Sequence, residues 1–124
     1  MVAGVGVDLV VVGRVEAALK RWGERLTGRL FTSREREEAA RSPHPSASLA
    51  ARFAAKEAFL KALGSGLFQV PFREIEVIRE PSGRPRLELH GSAARLCREK
   101  GVKGVHLSLS HDGGVAIAVV VLEV

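Results

Sequence analysis

Asp8, Glu57 and Lys61 are the side chains in this sequence whose types and spacing lend themselves most directly to chemistry. Asp8 lies inside Gly4-Val5-Gly6-Val7-Asp8-Leu9-Val10, where a carboxylate among apolar strand residues is costly to desolvate without a cation or strong donors. It reads either as an aspartate at an exposed strand end or as a ligand. Glu57 and Lys61 lie four apart in an Ala-rich stretch, so on a helix they share one face. As an ordinary surface ion pair they would contribute about 0.3–0.5 kcal/mol. With Asp8 as a second oxygen donor, Glu57 would instead complete a pair suited to octahedral Mg²⁺, whose other positions stay open to water and substrate phosphates. Lys61 would then offer a point charge to the same phosphates.

Other groups carry the same two-sided reading. Gly64-Ser65-Gly66 is a helix stop and loop, or a flexible backbone with a hydroxyl beside Lys61. His111 closes Leu107-Ser108-Leu109-Ser110-His111 and is either a solvated turn histidine or a phosphate-contacting imidazole. Arg14, Arg21 and Arg25 accompany apolar Ala18 and Trp22, which makes a solvated basic face or a docking groove for an acidic amphipathic helix. Gly4 and Gly6 lack the third glycine of a dinucleotide-binding fingerprint; their simpler role is to let backbone or ligand approach the strand closely.

These residues must be positioned by local elements. Residues 1–12 are almost wholly apolar apart from Asp8 and valine-rich, which predicts a strand buried on both faces. Val15, Ala18, Leu19, Trp22 and Leu26 recur with helical period over 13–30, with Gly23 as a break. Thr32 and Glu35 have capping-box spacing, so a short helix runs to Arg41 before Pro43 and Pro45 interrupt it. Residues 48–63 form the strongest helix, stopped by Gly64. Residues 74–80 and 85–90 form a hairpin in which outward charge alternates with Ile75 and Val77. A helix over 92–100 follows, then strands over 105–110 and 115–123 joined by His111-Asp112-Gly113-Gly114. The order β-α-α-α-β-β-α-β-β predicts an α+β fold with a mainly antiparallel sheet.

The 124 residues suit a single domain spanning 1–124, and 46% hydrophobic against 27% charged excludes a disordered chain. No apolar run reaches the roughly 18 residues of a membrane span, and the first residues do not resemble a signal peptide, so a cytoplasmic protein is expected. Cys97 is the only cysteine, which rules out an intrachain disulfide or a cysteine zinc cluster; its neighbours predict a buried helical thiol. A net charge of +5 favours an acidic partner. An RNA-binding module is one such alternative, opposed by the absence of Tyr and a supply of one Trp and five Phe for base stacking. A non-catalytic scaffold that only docks helices is another.

Gly4-Val5-Gly6-Val7-Asp8, the run from Arg52-Phe53-Ala54-Ala55-Lys56-Glu57 through Lys61 to Gly66, and His106-Leu107-Ser108-Leu109-Ser110-His111 together resemble the holo-acyl-carrier-protein synthases. These are a branch of the phosphopantetheinyl transferase superfamily. Phe31-Thr32 and Gly83-Arg84-Pro85 extend the resemblance over essentially the whole chain. It implies transfer of 4′-phosphopantetheine from coenzyme A to a serine of apo-acyl carrier protein for fatty acid biosynthesis. It also implies that Asp8 and Glu57 ligate Mg²⁺, that Lys61, Ser65 and His111 bind coenzyme A, and that Arg14 and Arg21 meet the carrier. Glu57, directly or through water, is the implied general base. A homotrimer is implied too, with His111 of one subunit completing the site of the next; neither nucleic acid nor membrane is an expected partner.

Overall fold

The structure, a computed structural model, describes residues 1–65 and 69–124; Gly66, at the end of the loop read beside Lys61, lies outside the described residues. The elements are β1 (Val2–Val11), α1 (Val12–Trp22), α2 (Glu24–Leu30), α3 (Ser33–Ala40), α4 (Pro45–Leu63), a 3₁₀ turn (Phe72–Glu74), β2 (Ile75–Arg79), β3 (Pro85–Leu89), α5 (Gly91–Glu99), β4 (Gly104–Asp112) and β5 (Val115–Glu123). The fold is α+β, with every strand pairing antiparallel as predicted. The strands form two sheets, β1-β5-β4 and the β2-β3 hairpin.

Helix α4 lies across the inner face of the larger sheet. Its buried alanines, Ala50, Ala51, Ala54, Ala55, Ala58 and Ala62, present almost no side chain, so strand and helix backbones come close. Gly4 and Gly6 complete this approach. A Cβ on Gly4 would stand 2.0 Å from the Ala62 carbonyl oxygen, and one on Gly6 1.9 Å from that of Ala58. The close-approach role expected of these glycines is what the structure shows, and it sets β1 directly against the helix.

Helix α4 begins at Pro45, ahead of the expected Ser48, because the first turn of a helix needs no amide from proline. It ends as expected at Gly64, whose φ of +75° is left-handed. Gly64 N donates to Lys61 O and Ser65 N to Leu60 O, the paired bonds of a Schellman ending. The periodic stretch 13–30 divides at Gly23 into two helices. Thr32 and Glu35 form the expected reciprocal cap on α3, at 3.2 and 3.0 Å.

Two local expectations are corrected. β1 is not buried on both faces: Val5, Val7, Leu9 and Val11 are exposed, while Gly6 and Asp8 face the helix. Their cross-strand partners Val121, Val119, Ile117 and Val115 continue the same outer apolar face onto β5. Nor does charge point outward throughout β2. Glu76 is buried beside Ile75, Val77 and Ile78, accepting from Thr32 Oγ1 and lying 3.0 Å from His90 Nε2. Cys97 is a buried helical thiol, as read, and burial raises it above the usual thiol range.

Candidate active site

The alternation of β1 turns Asp8 inward, toward α4, and leaves it only 9% exposed. It is therefore not an aspartate at a solvated strand end. One helical turn and more along α4, Glu57 and Lys61 face the same strand. Lys61 does not pair with Glu57; its Nζ donates to Asp8 Oδ1 at 3.0 Å and to Val7 O at 3.1 Å. The i,i+4 spacing gives the two helical residues a common face, and the neighbouring strand decides which carboxylate takes the ammonium.

Asp8 and Glu57 line one cavity of about 530 Å³. Burial pushes the Glu57 carboxyl above its usual range, the negative charge of Asp8 pushes it further, and Lys61 partly offsets both. The two carboxylates thus feel each other across a shared space. As a donor set they fit a hard divalent cation, since both supply oxygen and the cation would relieve their mutual repulsion. The cavity wall also includes Arg14 at the start of α1 and apolar Ala18, Leu19, Leu26, Leu30, Phe31 and Phe53. Arg14 accordingly lines the same cavity as the carboxylates, whereas Arg21 is further along α1, with its guanidinium 5.1 Å from the centre of the Trp22 ring.

His111 is elsewhere. It lies at the end of β4, opposite Ala116, rather than in a turn. It lines two cavities near the start of α4, one with His44 and Gly113-Gly114, the other with Arg41, His44, Arg52 and Arg79. Neither shares a lining residue with the Asp8 and Glu57 cavity. Ser65 lines none of the three; it is half-buried, two residues past Leu63 at the end of α4.

The sequence reading missed Arg41, Arg52 and Arg79 as a basic wall. Arg52 is 3% exposed and bonds Glu38 at 2.9 Å and Ser48, so it is fixed in place. It stands within the Arg52-to-Gly66 run, where its position was the available signal. Also missed was the buried ion pair of Lys56 with Glu35, at 2.8 Å. Lys56 further donates to Phe72 O and Ile75 O, and Glu35 accepts from Val77 N. Glu76, Glu88 and His90 place three metal-competent atoms within 4.8 Å of one another on the hairpin sheet, away from the Asp8 and Glu57 cavity. There Thr32 and His90 already engage the Glu76 carboxylate.

This α+β frame, with two carboxylates set between the first strand and an alanine-rich helix, has clear relatives. The family profile described as the 4′-phosphopantetheinyl transferase superfamily matches residues 4–120, and the chain belongs to that superfamily. Within it, a holo-[acyl-carrier-protein] synthase from Halothermothrix orenii is 42% identical over 123 residues, 99% of this chain and 98% of its relative. The crystal structure of the Neisseria meningitidis synthase superposes with a TM-score of 0.92 at 35% identity, covering 99% of both chains. That of the Helicobacter pylori synthase in complex with coenzyme A does so with 0.85 at 31%, covering 96% of this chain and 99% of that one.

Proposed function

We propose that the chain is a holo-[acyl-carrier-protein] synthase: it moves 4′-phosphopantetheine from coenzyme A to a serine of apo-acyl carrier protein and releases adenosine 3′,5′-bisphosphate. The observation that carries this is the meeting of Asp8 and Glu57 in one cavity, within a chain alike from end to end to a synthase crystallised with coenzyme A. Residues 1–124 act as one transferase domain, in the cytoplasm, where fatty acid synthesis consumes the holo-carrier.

The serine oxygen attacks the β-phosphorus of coenzyme A in line; the bond to the α-phosphate oxygen breaks, and that oxygen leaves with the electron pair on the nucleotide. Such transfers gain most from positioning and charge neutralisation. Asp8 and Glu57 would hold Mg²⁺, which when bound neutralises charge on the pyrophosphate. Lys61 adds a mobile positive charge beside them. Glu57 takes the serine proton directly or through water, and because ligating a cation would lower its basicity, the water route is favoured.

Arg14 and the apolar wall of Ala18, Leu19, Leu26 and Phe53 suit an acidic amphipathic helix, the chemistry expected of the carrier at this edge. Arg21, on the same helix, extends the basic rim. The basic cavity of His111, Arg41, Arg52 and Arg79 suits the phosphates of the nucleotide. It shares no lining residue with the carboxylate cavity, which is the arrangement expected where a site is divided between two chains. A homotrimer supports the two together: the outer apolar face of β1 and β5 would be covered, and His111 of one subunit would meet Asp8 and Glu57 of the next. Ser65, near Lys61 at the end of α4, would contribute from the carboxylate side.

The test is direct. Incubation with apo-acyl carrier protein, coenzyme A and Mg²⁺ should raise the carrier's mass by one phosphopantetheine; an unchanged mass with a known synthase working in parallel would defeat the assignment.

A further inference from the structure

The geometry points to Lys61 as an exchangeable counter-charge: we infer that its ammonium holds Asp8 until a divalent cation displaces it, and then turns to a substrate phosphate. The inference rests on the proposed role of Asp8 and Glu57 as cation ligands. Its observations are the two hydrogen bonds of Lys61, to Asp8 Oδ1 at 3.0 Å and Val7 O at 3.1 Å, and the asymmetry of the pair. The Asp8 side chain is 10% exposed and held in the middle of β1, whereas that of Lys61 is 55% exposed on a four-carbon stem near the end of α4. The carboxylate cannot follow the lysine out, but the lysine can leave.

A nearly buried carboxylate is costly without a counter-charge or strong donors. Arg14 lines the same cavity, yet among the described residues the ion pair to Asp8 comes from Lys61. A cation bound between Asp8 and Glu57 would put two positive charges within a few ångströms of the ammonium, and their repulsion favours the rotamers that carry Lys61 toward solvent or a phosphate. Lys56 on the same helix shows the opposite case. It has three acceptors, all within 2.9 Å, and no exposure, so nothing can exchange with it.

If Lys61 competes in this way, removing it must tighten cation binding in the absence of coenzyme A. Free Mn²⁺ measured by electron paramagnetic resonance tests this on the wild type, Lys61→Met, Lys61→Arg, Asp8→Asn and Glu57→Gln, with circular dichroism melts alongside. Lys61→Met should bind Mn²⁺ about tenfold more tightly than the wild type, while Lys61→Arg stays within about twofold. Asp8→Asn and Glu57→Gln should lose the binding. Unchanged or weaker binding by Lys61→Met, with those two losses intact, overturns the exchange and spares the cation site. Wild-type Mn²⁺ binding by Asp8→Asn and Glu57→Gln would overturn the site and the exchange together.

Discussion

Helix α4 carries two lysines that each meet a carboxylate from another element, and the two pairs could hardly differ more. Lys56 and Glu35 are both fully buried, and their remaining donors and acceptors are spent on Thr32, Phe72, Ile75 and Val77. Burial nonetheless lowers the Lys56 ammonium below its usual value, with Glu35 working against that trend. Lys61 and Asp8 are a pair with one end anchored and one end in solvent. The first pair ties the hairpin and α3 to the helix; the second leaves charge available where a substrate can reach it. Five residues along one helix separate a lysine sealed in the core from one open to solvent.

Breaking the buried pair should have the larger effect. Lys56→Met leaves Glu35 buried and uncompensated, and urea unfolding should show a loss of about 3–5 kcal/mol. A loss near zero would mean that Glu35 finds another partner or takes up a proton at little cost. The open pair behaves differently. Asp8→Ala should melt close to the wild type and yet lose on the order of 100-fold or more in transfer, as should His111→Ala.

The comparison between the two cavities can be sharpened with the same variants. When Asp8→Ala and His111→Ala chains are refolded together in equal amounts, about a quarter of interfaces would unite an intact Asp8 with an intact His111, so about a quarter of wild-type activity should return. No recovery from mixed trimers would place the whole site within one chain, and a monomer by light scattering would remove the basis for sharing.

A smaller effect is expected at the rim. Arg14→Glu should raise the KM for the carrier about tenfold while that for coenzyme A stays nearly constant, and the wild-type KM for carrier should rise with salt. Equal changes for both substrates would detach Arg14 from docking.

The smallest concerns Glu76. Burial alone would raise its carboxyl, but the hydrogen bonds from Thr32 and His90, with the positive charges of His90 and Arg34, together outweigh burial and hold it below the usual value near 4.5. A depressed carboxyl stabilises the fold above that value and loses the contribution as pH falls through the folded one. Glu76→Gln should therefore lower the melting temperature by a few degrees at pH 7, with the difference shrinking below about pH 4.5. A constant difference at all pH values would assign the effect to packing instead.

What could be read from the sequence was whatever depends on short spacing. The Thr32 and Glu35 cap, the Gly64 stop and the division at Gly23 all involve neighbours, and all are present; at Gly4 and Gly6 the sequence showed that something approaches closely, but not that it is Ala62 and Ala58 of α4. Asp8 was conspicuous because its surroundings are apolar, and it does face Glu57. Lys56 could not be recognised in the same way. Helix α4 is covered on nearly every side, so its pattern has no polar face against which a buried lysine stands out. β1 posed the converse difficulty: valine at alternate positions looks the same whether the outer face meets protein or water. The separation of His111 from Asp8 follows from strand order, β1-β5-β4 with α4 laid across it, and no local spacing encodes that order.

Gly4 and Gly6 have a consequence for how such a chain can change. Most positions drift through chemically similar substitutes, and a core valine has isoleucine and leucine as neighbours in sequence space. Here the next step up is a single methyl group, and it would land about 2 Å from a helix carbonyl oxygen. Such a contact displaces backbone, and Asp8, two residues beyond Gly6 on the same strand, moves with it. These two positions have no neutral neighbours, so the lineage inherits the distance between strand and helix as a missing atom.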